Sequence, residues 1–162
     1  MGNGYRAGMK TFQSYAELTA LKGQEVTVTA WREITQEQIN LFAEATGDHQ
    51  WIHVDTERAA KGPFGTTVAH GFFTLSLLAG FMEEACRIDG VVMGLNYGLN
   101  KVRFTSPVPV NSRLRARLTL ANTEPLDNQG LQITWLVTVE REGQDKPVCV
   151  AESLTRVYGG KA

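Results

Sequence analysis

The stretch TGDHQWIH, residues 46–53, carries a carboxylate and two imidazoles within eight residues, as Asp48, His49 and His53. An aspartate and a near-neutral histidine can take a proton from water and deliver one elsewhere, and positioned acid–base groups typically contribute about 10²–10⁴-fold in rate. Further along, His70-Gly71 stands at the head of the most apolar run of the chain, GFFTLSLLAGF. If that run is helical, its first N–H groups lack intrahelical acceptors and its dipole favours negative charge, so the Gly71 amide can hold an oxyanion. Glycine also lacks the Cβ that would keep a reacting carbonyl oxygen at a distance. One oxyanion donor is commonly worth about 2.7–4 kcal/mol in enzymes, which rivals the acid–base contribution.

Spacing alone does not join Asp48 to His53. Five extended residues span about 17 Å, so the chain must fold back between them. In a purely structural reading, Asp48 forms an Asx-type turn behind Gly47 and His53 is a histidine with satisfied nitrogens. A metal set is a third reading, because Asp48, His49, His53 and Asp55 are all ligand types. They fall on an expected loop without the helical register of an HExxH site, and no metal is assigned.

The elements that must position these groups announce themselves at their ends. QEVTVTAW alternates as a strand does, and ITQEQINLFAEATG then reads as a helix. Thr35 is its N-cap, Gln38 completes a capping box, Ile34 can staple onto Ile39, and Gly47 is the stop. TERAAK is a short helical turn and GPFGTTVAH a loop. A long helix is expected from Gly71 to Ile88. Its first turns, with Phe72, Phe73, Leu75, Leu77, Leu78, Phe81 and Met82, are apolar on nearly every face, so protein should enclose them. Glu83, Glu84 and Arg87 mark a wet end.

From Val91 onward the pattern is that of strands: VVMGLNYGLNKVRFT, RLRARLTLAN, LQITWLVTVERE and PVCVAESLTRVYG. Arg113, Arg115 and Arg117 alternate with Leu114, Ala116 and Leu118, giving one solvated and one buried face. The Gly-containing NYGLN is expected to bulge. The class is α+β, with about five antiparallel strands curled round one long helix.

A 162-residue chain with 43% hydrophobic residues suits one domain, assigned to residues 11–160. Residues 1–10, MGNGYRAGMK, are expected to be poorly ordered, contain no secretory signal, and include Met9 as a second candidate start. A net charge of -1 gives no broad basic field for nucleic acid. The apolar run falls short of the roughly 20 residues a bilayer requires, so no membrane is expected. Cys86 and Cys149 lack a CxxC arrangement and suit a reducing cytoplasm.

TGDHQWIHVD followed by VAHGFFTLSLLAG resembles the MaoC-like, or hydratase 2, family of (R)-specific enoyl-CoA hydratases, over roughly Thr11 to Tyr158. Asp48 and His53 match the family's aspartate and the histidine five residues later, and His70-Gly71 match its His-Gly. Most members have Asn-Pro where this chain has Gln50-Trp51. LNYGLNKVRFTSPVPV is similar to a subset, related to nodulation protein NodN, that lacks the Asn-Pro.

The resemblance implies a hotdog fold, an antiparallel sheet wrapped round a central helix. It also implies reversible addition of water to a trans-2-enoyl-CoA thioester. Asp48 and His53 would activate one water, one of them would return a proton to C2, and Gly71 N–H would hold the thioester oxygen. Hydration needs no cofactor, since coenzyme A arrives with the substrate. A homodimer is implied too, with coenzyme A near the subunit boundary.

Trp51, His70, Phe72, Asn96 and Tyr97 are placed with the substrate, and Lys101 and Arg103 against the phosphates of coenzyme A. The plainer readings are a bulge for the Asn96–Asn100 stretch and solvated basic residues for the strand. Trp31 and Trp135 are expected to be packing groups, and Ser76 to bond back to its own helix. Two competing functions are a hotdog thioesterase working through Glu83 or Glu84, and a non-catalytic acyl-CoA-binding subunit.

Overall fold

The computed structural model describes residues 8–162, so most of the N-terminal segment expected to lack order lies outside the described residues. Strand β1 (Lys10–Phe12) and helix α1 (Tyr15–Thr19) lead into β2 (Glu25–Val28), β3 (Arg32–Glu33) and α2 (Gln36–Thr46). Three more helices follow, α3 (Trp51–Val54), α4 (Thr56–Ala60) and α5 (Gly71–Ala85). The chain then runs through β4 (Cys86–Ile88), β5 (Met93–Arg103), β6 (Arg113–Leu126), β7 (Gly130–Arg141) and β8 (Cys149–Tyr158).

The main sheet is antiparallel, in the order β2-β6-β7-β8-β5, with β3 also pairing β6. Alternation along its strands decides what it buries. Leu114, Ala116, Leu118 and Leu120 of β6 are fully enclosed, as are Val137 and Val139 of β7, and they join Phe73, Leu78 and Phe81 of α5 in one core. Each such side chain contributes about 1.5–3 kcal/mol when fully buried. This sheet-on-helix arrangement is the hotdog expected from the sequence. The intervening arginines are held on the outer face by acids: Arg113 pairs with Glu142, and Arg115 and Arg117 both with Glu140.

Helix α2 has the expected ends. Thr35 and Gln38 form both halves of the capping box, Gly47 adopts φ 79 at the C-cap, and Ile34 and Ile39 are fully buried. β5 bulges as expected, with register shifts between Asn96 and Gly98 and between Leu99 and Lys101.

Three expectations need correction. The long helix ends at Ala85, not Ile88, because Cys86–Ile88 pair in parallel with β1 and Asp89 N–H reaches the Phe12 carbonyl. Lys10, placed in the unordered segment, is part of that pairing. Nor does the chain enclose α5 on every side: Phe72, Ser76, Ala79 and Glu83 form an exposed stripe at helical spacing, Phe72 being 68% exposed. The edge strand β5 beside it is exposed almost throughout. Among the described residues, no helix is long and apolar enough to cross a membrane.

Candidate active site

Asp48 and His53 are brought together by a reversal of the chain. Gly47 takes the left-handed conformation that most side chains avoid, so α2 stops and the backbone turns. Asp48 N–H then donates to Thr46 Oγ1 at 3.4 Å, and Asp48 Oδ1 accepts from Gln50 N–H at 3.3 Å. Residues 51–54, expected as loop, wind into α3, with His53 N–H donating to the Gln50 carbonyl. One potential donor atom each from Asp48, His53 and His70 lies within 4.8 Å of the others. The Asx-type turn set against a chemical role is therefore present. It engages one carboxylate oxygen of the exposed Asp48 and, among the described residues, leaves the other without a hydrogen-bond partner.

His53 is buried, and its Nδ1 lies 2.6 Å from the Val68 carbonyl oxygen. A carbonyl only accepts, so Nδ1 carries the hydrogen and Nε2 presents a lone pair when the ring is neutral. Val68 N–H donates back to the Ile52 carbonyl, tying α3 to this extended segment twice. Gln36, at the start of α2, adds a third tie: its Nε2 donates to the His53 carbonyl at 2.8 Å and its Oε1 accepts from Thr67 Oγ1. Burial pushes the His53 pKa below the ordinary imidazole value; the Val68 bond opposes this, the His70 ring adds to it, and Asp48 opposes it.

His70 is 2% exposed. Its Nε2 lies 2.9 Å from the Asp48 backbone oxygen, and its ring stacks on that of His53 with centroids 3.9 Å apart and planes 25° apart. The Phe42 ring also packs against it, with centroids 5.0 Å apart and planes tilted by 54°. Among the described residues, His70 Nδ1 has no hydrogen-bond partner.

The spacing of Asp48, His53 and His70 would suit an ion, but the stacking does not. Metal ions bind imidazole nitrogens near the ring plane, and the in-plane lone pairs of stacked rings run side by side without converging. The ligand types weighed in the sequence are also dispersed, since His49 pairs with Glu44 at 2.6 Å and the Asp55 carboxylate caps α4. The Glu44 contact raises the pKa of the exposed His49.

Gly71 begins the 15-residue α5, with buried His70 as its N-cap. The first helical bond is Thr74 N–H to the His70 carbonyl, so the amides before it lack intrahelical acceptors. A Cβ on Gly71 would fall 2.6 Å from the Phe104 ring, so the close approach that demands glycine here is made by an aromatic side chain. Phe104 in turn meets Phe72 edge-on at 5.9 Å beside the helix start. A cavity of about 340 Å³ opens there between Phe64, Gly71, Thr74, Phe104 and Val148.

The remaining predicted substrate residues are scattered. Trp51 lies under the Arg58 guanidinium at 4.3 Å and against Gly62. Asn96 faces α5 and lines a cavity with Met82 and Ala79. Tyr97 is on the outer sheet face beneath Arg156, at 3.4 Å. Lys101 and Arg103 lie on the same exposed strand, paired in register with Glu152 and Val150, and the structure does not bring them to Asp48 and His53. Glu84 is held in an ion pair with Arg32, and Glu83 lies on the exposed stripe. Trp135 is buried, and Ser76 bonds back to the Phe72 carbonyl at 2.7 Å.

Sequence reasoning missed Val68, Gln36 and Phe104. Each acts through a main-chain contact or an unoccupied Cβ position, for which there is no side-chain motif.

This chain matches a family model described as MaoC like domain over residues 17–141. It is 57% identical over 148 residues to 3-hydroxyacyl-thioester dehydratase Z of Mycobacterium tuberculosis, covering 91% of this chain and 98% of that one. It is 45% identical over 144 residues to Nodulation protein N of Rhizobium leguminosarum bv. viciae, covering 88% and 89%. Among solved structures, the unliganded R-hydratase PhaJ1 of Pseudomonas aeruginosa superposes with a TM-score of 0.69 at 24% identity, covering 92% of this chain and 86% of that one. The extent of the family match and the level of identity leave one conclusion: the chain belongs to the MaoC-like domain family.

Proposed function

We propose that the chain is a hydro-lyase that reversibly adds water to a trans-2-enoyl-CoA thioester, giving the (R)-3-hydroxyacyl product. The observation that carries this is the His53–Val68 contact, which leaves Nε2 as the basic nitrogen of a ring that lies with Asp48 in a cluster whose donor atoms are within 4.8 Å of one another. In hydration, His53 Nε2 takes a proton from water as the oxygen bonds to C3, and the Asp48 carboxylate accepts a hydrogen bond from the O–H that is kept. The π electrons move to the thioester oxygen, which Gly71 N–H holds as an enolate. The enolate collapses onto C2, which takes the proton from His53, and the ring returns to its neutral form. Atoms and charge balance without an oxidant, so the reaction calls for no cofactor. The depressed His53 pKa supports this role, since a base must be unprotonated at working pH.

Crotonyl-CoA tests the reading. Loss of enoyl absorbance without thiol release is expected of the parent, with Asp48→Asn and His53→Gln lowering kcat by about 10²–10⁴-fold. Thiol release would favour a thioesterase, and a folded His53→Gln protein with the parental rate would overturn the mechanism.

A homodimer belongs to the same proposal. The exposed stripe of α5 and the exposed edge strand β5 lie side by side, a large unpaired surface of the kind a second copy covers. Cys86 and Cys149 are free, which supports a reducing compartment such as the cytoplasm.

A further inference from the structure

We propose that His70 is a positioning residue whose imidazole sets both members of the Asp48–His53 pair, one by a hydrogen bond and the other by a ring face. This rests on the hydratase reading and assigns a device within it.

The two reacting side chains come from different pieces of the chain. Asp48 is on the exposed turn after α2, where its only side-chain tie among the described residues is to Gln50 N–H, whereas His53 is on the buried α3. Along the chain they are linked through Gln50, whose N–H donates to Asp48 Oδ1 and whose carbonyl accepts from His53 N–H. His70 touches both. Its Nε2 faces a carbonyl oxygen, which only accepts, so Nε2 carries the hydrogen and donates to the Asp48 main chain at 2.9 Å. Its ring lies flat on His53, so that imidazole, held at Nδ1 by the Val68 carbonyl, is also backed on one face.

His70 is itself held. The Phe42 ring packs against it, its backbone carbonyl accepts the first bond of α5, and it is almost wholly buried. The same residue thus aligns the acid–base pair with the start of the helix whose amide faces the thioester. His70 holds the reacting groups and does not touch substrate, a supporting role in place of the substrate contact expected from the sequence.

Two substitutions separate the contacts. His70→Phe keeps a flat ring and loses the donor; His70→Gln keeps a donor near the Nε2 position and loses the ring. With crotonyl-CoA, His70→Phe is expected to lower kcat on the order of 10²-fold with KM little changed, as for a misplaced reacting group. His70→Gln is expected to recover most of that loss. A folded His70→Phe protein with parental kcat overturns the proposal, as does a His70→Gln protein no better than His70→Phe.

A second measurement requires neither activity nor a variant that folds. The chain has three histidines, so imidazole ¹⁵N spectra of the parent resolve them. At pH 7.5, His70 is expected as the Nε2–H tautomer and His53 as the Nδ1–H tautomer. An Nδ1–H form of His70 overturns the proposal. If the parent folds but hydrates no enoyl-CoA, the hydratase reading fails, and the tautomers alone decide the placement of His70.

Discussion

The imidazoles of His53 and His70 are stacked 3.9 Å apart inside the protein, and the His70 ring disfavours a proton on His53. Burial is the larger force on His53, and both act in the same direction. A histidine whose folded pKa is depressed is neutral in the native state and binds a proton more readily when unfolded. The stability it supports is complete above the ordinary imidazole pKa of about 6.5 and declines as pH falls from there toward the folded value.

His49 works against this, because its raised pKa favours the folded state at lower pH, although the side chain is half exposed and solvent screens the effect. A His49→Gln background removes it. Melting temperature between pH 7.5 and 5.5 should then fall on the acid side, and the fall should shrink in His49→Gln/His53→Gln. An unchanged slope in the double variant would place the acid sensitivity elsewhere.

Gly71 and Phe104 form a second tight pair. Because a Cβ on residue 71 would lie 2.6–2.9 Å from three Phe104 ring atoms, Gly71→Ala must move that ring. Activity should drop, and Phe104→Leu should restore part of it by vacating the space. A double-mutant cycle on kcat/KM measures this coupling, expected to lie within about 0.5–3 kcal/mol for residues in contact. Additive effects would mean that Gly71 is glycine for the substrate's sake alone.

What could be read from the sequence followed what the side chains declare. Thr35, Gln38 and Gly47 name the ends of α2 because caps are local, and alternating Leu and Arg name β6 because the sheet period is local. The Asp48 and His53 types named a chemistry. That they meet was not legible in their spacing and was expected only through the family resemblance, because the meeting depends on a short reversal and a four-residue helix, α3, too short to leave a periodic signal. The end of α5 was misplaced for a related reason: Cys86–Ile88 leave the helix for a partner, β1, remote in sequence. The roles of Val68 and Gln36 depend on contacts that only the fold creates.

Gln36 makes that last point testable. Its amide bridges the His53 carbonyl to Thr67, so Gln36→Leu removes partners from two polar groups in a buried neighbourhood. Leaving such groups unsatisfied costs about 1–3 kcal/mol. Denaturant unfolding should show a loss of that size, accompanied by a lower kcat because α3 carries His53. A loss of stability with kcat intact would show that α3 keeps its place without the bridge.

The two cysteines should be unreactive until the protein opens. Burial pushes the thiols of Cys86 and Cys149 up to about 11, and the thiolate is the reactive form. Iodoacetamide at pH 8 should therefore label neither in the native protein and both in urea. Rapid native labelling of Cys86, the less buried of the two, would mean that the β1–β4 pairing opens readily in solution.

The exposed face of α5 is tested by assembly. Ala79 lies on the stripe with Phe72, Ser76 and Glu83, beside the unpaired edge of β5, where Met93 and Leu95 are about half exposed. An arginine at position 79 would sit in solvent on a lone subunit and cost the fold little. Within an interface between copies it would bury an unpaired charge, which is strongly unfavourable. The parent should sediment at about twice the 17.9 kDa chain mass, and Ala79→Arg at the mass of one chain with its melting temperature reduced only by the lost association. A parent of single-chain mass at micromolar concentration would mean that this face serves some other contact and that the site is complete within one subunit.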